Sequence, residues 1–317
     1  MSTVNRKATI IALFLLWLAL TGSYMAWWLH PTLLAINFVI WLGLMLWLGF
    51  RGPRPGPIHW AMVGVVASIL LSAAWNHAWY AGLTQAATWT AYLAIYSLST
   101  AYLTPAITRA ARWAFWVFLP LGLIAGFNSN VAAFNVVGLA MLAGGWWPLA
   151  AAALACMWLT SFGGLLAIGA AVVVLMPCAW YYRGAIMATA APLFMLNYNS
   201  WLVRQRFLIY AWNEFRLSPI FGYGPGNCNP VGYSADHYFK FWHAHNIIAT
   251  AAAELGLVGL AALGVFGLLV AKNWQKLPLT AATMLIGFGL WSMVDEPLRF
   301  WGPGAMVMIA LSRGSYV

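Results

Sequence analysis

Apolar runs of about 20 residues recur from one end of the chain to the other, separated by short breaks, and each is long enough to cross a bilayer. The pattern predicts helices near 8–29, 32–50, 58–80, 84–104, 113–127, 131–146, 147–161, 163–182, 184–198, 246–271, 277–294 and 298–313. Gly144, Gly145 and Pro148 break one junction, and Gly163 and Gly164 another. One long segment, 199–245, interrupts the series. The expected fold is therefore all-α: a polytopic membrane protein of about twelve transmembrane helices with one large loop. Its organisation reads as an N-terminal transmembrane bundle (1–198), a loop (199–245) and C-terminal transmembrane helices (246–317), in one integrated membrane domain.

Composition strengthens this picture. The 317 residues are 64% hydrophobic and 6% charged, against roughly 25% charged in soluble domains. The 21 tryptophans suit a membrane–water interface. Lys and Arg outnumber Asp and Glu by 15 to 5. In a soluble protein that excess would suggest nucleic acid; here it reads as basic cytoplasmic loops. The run after Arg6 and Lys7 is long for a signal-peptide core and lacks a small-x-small cleavage site, so it is expected to stay as a first helix. The three cysteines show no disulfide framework or CxxC pair.

Charge also orients the chain. With a cytoplasmic N-terminus, Arg6, Lys7, Arg51, Arg54, Arg109, Arg112, Arg183, Lys272, Lys276 and Arg313 fall inside. Arg204, Arg206, Arg216, Lys240 and Arg299 fall outside, and ten against five fits the positive-inside rule. Both termini are thus expected in the cytoplasm. The 199–245 loop faces outward, into the periplasm of a Gram-negative cell. Its first part, "WLVRQRFLIYAWNEFRL", sets Arg206, Tyr210 and Asn213 on one face at helical spacing, as in a helix lying in the interface. "SPIFGYGPGN" then breaks it, with Gly222, Gly224 and Gly226 allowing tight turns or a close approach to a ligand. No P-loop pattern is present.

Candidate chemistry gathers where this loop re-enters the membrane, in "FWHAHNIIATAAAELGLVGL". His243 and His245 flank Ala244 at the helix mouth. A neutral imidazole can act as a general base, and an interfacial histidine that snorkels has the same local pattern. An HxH pair can also ligate metal, but no further spaced ligand set accompanies it, and no metal or cofactor is expected. Glu254, nine residues beyond His245, lies about 13 Å along the helix. It is either an acid supporting the site above or a structural, hydrogen-bonded glutamate packed near Gly256 and Gly259. Arg206 can hold a phosphate bidentately. Arg204 and Arg216 read more simply as contacts to lipid headgroups.

These residues carry a family resemblance. "HAHNIIATAAAELGLVGL" resembles the His-Asn helix start and E-x-G-x-x-G of the O-antigen ligase and polymerase superfamily, which includes the bacterial protein O-oligosaccharyltransferases. "RQRFLIYAWNEFRLSPIFGYGPGN" is similar to that family's Arg-led interfacial segment ending in P-x-x-G-x-G-x-G/N. "NSNVAAFNVVGLAML" resembles its Asn-x-x-Ala helix start, at Asn130, and "WSMVDEPLRFW" its C-terminal acidic motif. The resemblance spans roughly 125 to 305.

It implies a GT-C-like membrane fold with a periplasmic loop over a cavity, in a bacterial inner-membrane protein of lipopolysaccharide biosynthesis or protein glycosylation. It also implies metal-independent transfer of a glycan from undecaprenyl pyrophosphate to an acceptor hydroxyl on lipid A core, a growing glycan or a protein. By position, His245 would be the essential histidine and Arg206 the pyrophosphate-contacting arginine. Arg204, Tyr210, Gly222, Gly224, Gly226, His243 and Arg299 would line the substrate, with Asn246 and Glu254 supporting. One departure stands out: the family's mid-chain Thr-x-Ser-Arg-Gly reads "LTSFGG" here, with Phe162 in the arginine's place. A flippase of lipid-linked sugars, or a non-catalytic relative acting on a paralogue, are the competing readings. No internal repeat of the kind common in transporters is visible.

Overall fold

A computed structural model describes residues 55–102, 106–124, 129–159, 198–229, 231–234, 237–240, 244–277, 279–293 and 301–312, with isolated positions elsewhere. The expected spans 8–29, 32–50 and 184–198 lie essentially outside the described residues, as does most of 163–182.

The described chain is helical apart from one small hairpin. Its helices are α1 (Pro57–Trp75), α2 (Trp79–Tyr102), α3 (Ala106–Ile124), α4 (Ser129–Ala143), α5 (Trp146–Trp158), α6 (Tyr198–Leu217), α7 (Ile247–Lys272), α8 (Leu279–Trp291) and α9 (Trp301–Ser312). Between α6 and α7, β1 (Val231–Ser234) pairs antiparallel with β2 (His237–Lys240), Val231 opposite Lys240. This hairpin was not among the expected elements. Among the described residues, α1 and α7 are long and apolar enough to cross a membrane. Parts of α4, α5 and α8 are apolar but shorter.

Local chemistry sets the helix ends. Pro57 occupies the first turn of α1, where its missing N–H costs nothing. The Gly56 N–H donates to His59 Nδ1 at 3.0 Å, closing that end. α1 stops at Asn76, and His77 follows with φ 55°, a left-handed exit that turns the chain straight into α2. Gly144 and Gly145, at φ 64° and 92°, separate α4 from α5 as their sequence suggests.

The main core lies between α2, α3, α4, α8 and α9. Tyr92, Phe115, Phe118, Phe134, Phe288 and Trp291 are all essentially inaccessible there. The Phe134 and Trp291 rings lie 4.3 Å apart. Small residues let the helices meet closely: Gly304 lies against the Tyr92 ring and Gly138 against Met306.

α7 packs on α1 along one side and receives α6 on another. It is not a straight rod. At Gly256 the backbone leaves helical geometry (φ 64°, ψ −156°), dividing α7 into an outer half, 247–255, and an inner half, 257–272. The continuous shaft expected from the sequence is therefore corrected to two half-helices. The cause is the segment just after α6. Leu257 N–H donates to the Pro219 carbonyl at 2.8 Å and Val258 N–H to that of Ile220 at 3.2 Å. In return, the Ala253 carbonyl accepts from Tyr223 N–H at 2.8 Å and the Glu254 carbonyl from Gly224 N–H at 3.0 Å. The inserted loop thus supplies partners for the backbone groups that the break releases, which apolar surroundings require.

Candidate functional site

The site is built where α6, the Ala244–Asn246 turn and the end of α8 converge. Val203, Phe207, Tyr210 and Ala211 recur at helical spacing on one face of α6. That face packs on Ala244, Ala249 and Ala253 of the turn and outer half-helix, with Cys228 buried among them.

Asn246 caps α7. Its Oδ1 accepts from the N–H groups of Ile248 (3.0 Å) and Ala249 (2.9 Å), and its Nδ2 donates to the Met293 carbonyl at 3.0 Å. Ile247 N–H donates to the Ser292 carbonyl at 2.9 Å. On the other side, Ala244 N–H donates to Thr250 Oγ1 at 2.9 Å. The turn is thus tied down before and after His245.

His245 itself has φ 53°. A left-handed backbone costs a non-glycine residue about 1–2 kcal/mol and persists only where its surroundings impose it. The imidazole stacks on Phe207, with centroids 5.6 Å apart and planes 17° from parallel. It borders a small, shallow depression lined by Arg204, Gln205, Leu208, Ala244, His245, Asn246 and Met293.

The structure brings some of the expected residues together and separates others. His245, Asn246 and Arg204 share the depression. Arg206 is exposed and does not line it among the described residues, because two residues along a helix is about 200° around it. Tyr210 faces the α6–α7 interface rather than the depression. Burial first, then the neighbouring Glu214 carboxylate that its hydroxyl bonds, pushes its pKa up to about 12.

Gly222 and Gly224 are buried. A Cβ on Gly222 would strike the Glu254 carbonyl, so this glycine serves a backbone-to-backbone approach at the α7 break. Gly226 sits against Ala81 of α2. The side chains of His243 and Arg299, and Phe162, lie outside the described residues. Glu254 is 2% exposed, and its Oε2 accepts from Gln85 Nε2 of α2 at 2.9 Å. It lies at the opposite end of the outer half-helix from His245.

Sequence reasoning passed over several residues that shape this region. Phe207, Gln205, Leu208 and Met293 form the surroundings of His245. Ser72, Asn76 and Gln85 reach the inserted loop or Glu254 from α1 and α2. The spacing of Ser72 and Asn76, four apart in an apolar run, was the one local signal that these polar groups share a face.

The depression brings His245 and Arg204 to one mostly apolar wall; as residue types, an imidazole can take a proton and a guanidinium can hold a phosphate. Among the described residues, no three His, Cys, Asp or Glu side chains gather as a metal set. No family model and no curated protein matches this chain.

Proposed function

We propose that this chain is a multi-pass inner-membrane glycosyltransferase of the O-antigen ligase and polymerase type. It moves a glycan from undecaprenyl pyrophosphate to an acceptor hydroxyl at the periplasmic face, with about twelve helices and both termini in the cytoplasm. The observation that carries this reading is His245, held in a left-handed turn and opening onto the same depression as Arg204. Strained backbone that the surroundings impose is a recurring property of reactive positions.

In this mechanism the donor enters from the outer leaflet. Arg204 holds the pyrophosphate inside the depression, and Arg206 meets anionic groups on the exposed flank of α6. His245 takes the proton of the acceptor hydroxyl as that oxygen bonds the anomeric carbon. The anomeric carbon–oxygen bond to pyrophosphate breaks, and undecaprenyl pyrophosphate leaves with the bonding pair. A positioned base contributes roughly 10²–10⁴-fold. A fixed cation beside the developing charge adds a factor of about 10²–10³.

The test uses purified protein with a synthetic lipid-linked glycan and acceptor. Wild type is expected to release undecaprenyl pyrophosphate, while His245→Ala and Arg204→Ala lose most of the rate. Full activity in both folded variants overturns the assignment. A clean deletion then separates the branches. Loss of the O-antigen ladder with lipid-linked polymer accumulating indicates a ligase; collapse to one repeat unit indicates a polymerase. An unchanged ladder with a lighter pilin indicates the protein-directed enzyme.

The break in α7 favours a second reading, because transporters of lipid-linked sugars often carry discontinuous helices at their binding sites. Here, however, the released backbone groups are bonded to residues 219–224. Release of undecaprenyl pyrophosphate by the purified protein excludes simple transport.

A further inference from the structure

The polar residues of the α1–α2 turn converge on the break in α7, although they lie far from His245 in the chain. The single hydroxyl proton of Ser72 is shared between the carbonyls of Phe221 (2.6 Å) and Glu254 (2.7 Å). Asn76 Nδ2 donates to the carbonyls of Ser72 (2.9 Å) and Gly222 (3.0 Å). Ser218 Oγ donates to that same Gly222 carbonyl at 2.7 Å. Gln85 holds the Glu254 carboxylate at 2.9 Å. Trp75 packs on Phe221 with ring centroids 4.9 Å apart. Three otherwise separate pieces, the α1–α2 hairpin, the Ser218–Gly224 segment and the outer half of α7, are therefore bonded at one point.

That point is the inner end of the outer half-helix. Its other end is the Asn246 cap, fastened to Met293 and Ser292. Nine residues of helix, about 13 Å, separate the two fixed ends. Because Gly256 interrupts the helix below, the inner half cannot hold the outer half in line through continuous backbone bonding. Its tilt and rotation depend on the hub at Ser72, on the cap and on its packing against α6 and α1. His245 precedes the cap directly, and its ring rests on Phe207 of α6. The hub therefore reaches the imidazole through this half-helix, while Arg204 stands on α6.

We propose that Ser72 and Asn76 are positioning residues for His245: they fix the inserted loop and the outer half of α7, and through it the placement of the imidazole. Neither touches the depression. The role in catalysis rests on the glycan-transfer reading above, whereas the mechanical coupling does not. A displacement of about 1 Å at a reacting group can cost on the order of 10²-fold in rate, so the loss should appear in kcat with KM nearly unchanged.

The experiment pairs kinetics with a spectroscopic reading of His245 in the full-length protein. Ser72→Ala, Asn76→Ala and the hydroxyl-retaining Ser72→Thr are purified in detergent, and their thermal unfolding is recorded. The ring protons of His245, assigned with His245→Gln, feel the Phe207 ring current in labelled wild type. Ser72→Ala and Asn76→Ala are expected to move this signal toward its free position and to lower kcat by about 10–100-fold. Ser72→Thr is expected to restore both. If Ser72→Ala fails to fold, Asn76→Ala decides, because it removes only a half-buried amide. Folded variants with a wild-type His245 signal overturn the coupling. A moved signal with unchanged kcat, or a change in KM alone, overturns the positioning role. Absence of transfer by wild type itself, with the signal still moved, refutes the glycan-transfer reading and leaves the coupling standing.

Discussion

Two histidines carry left-handed backbone, His77 at φ 55° and His245 at φ 53°. Their dihedral angles are nearly equal, and their surroundings are not. His77 lies exposed in the turn after α1, where a helix commonly ends in this conformation and the chain simply reverses into α2. His245 sits just ahead of the α7 cap, stacked on Phe207 and beside Arg204, with hydrogen bonds fixing the residues on both sides. At His77 the geometry serves a turn. At His245 it belongs to a turn that is bonded on both sides and stacked on Phe207. Strain alone does not mark a reactive residue; strain imposed by a bonded frame and opening on a cavity with a cation is a stronger sign.

The comparison breaks most sharply on activity. His245→Ala should lower transfer about 10²–10⁴-fold, while His77→Ala should stay within about twofold, as exposed positions generally do. Equal effects would remove the distinction, and initial rates with lipid-linked donor measure it.

The next effect concerns the frame. Gly222→Ala combines positive φ with a clash against the Glu254 backbone, and the two costs together come to about 3 kcal/mol. Gly264→Ala, on the inner half of α7 where a Cβ meets nothing within 4 Å, should stabilise by up to about 1 kcal/mol. Thermal unfolding in detergent reads both.

Removal of the cap is smaller. Asn246→Ala should cost about 1–2 kcal/mol, since it frees two helix N–H groups and one carbonyl. It should also lower activity, whereas a stability loss with full activity would argue that the cap does not hold His245.

Glycine separates the two histidines more finely. His77→Gly and His245→Gly should each relieve backbone strain, shifting stability by up to about 1 kcal/mol. Only the second should abolish transfer.

The smallest effect is a titration. The Tyr210 hydroxyl is raised from 10.0 to about 12 by burial and then by Glu214. A raised pKa on an acid favours its neutral form in the fold. The resulting contribution is complete below pH 10 and is lost as pH rises through about 12. Phenolate absorbance should lag in the folded protein, and the stability difference between wild type and Tyr210→Phe should change only in that window.

Much of the helical layout could be read from the sequence. The runs behind α1, α4, α5, α7, α8 and α9 stand near their expected positions, because long apolar blocks punctuated by Gly and Pro leave few alternatives to a helix. The β1–β2 hairpin also had a local signal, two short strand-prone segments with two residues between them. The expected loop held an interfacial helix and then a glycine-rich break, with no strand assigned to the stretch beyond it. The break at Gly256 had no readable local signal, since glycine inside an apolar run fits a continuous helix as well. The choice between Arg204 and Arg206 was equally illegible, because the phase of α6 against α7 depends on which face buries Phe207.

By itself the sequence determined the helical class of the chain, the start of α7 near Asn246 and the candidate status of His245. Apolar run length and capping chemistry are local, so they need no knowledge of the rest of the chain. Tertiary structure decided that α7 is broken, that Ser72 and Asn76 hold the break, and that Arg204 rather than Arg206 shares the depression with His245. The reason is physical. Released backbone groups at Gly256 are tolerable only where Pro219, Ile220, Tyr223 and Gly224 arrive to bond them. That arrival depends on three distant segments meeting in space.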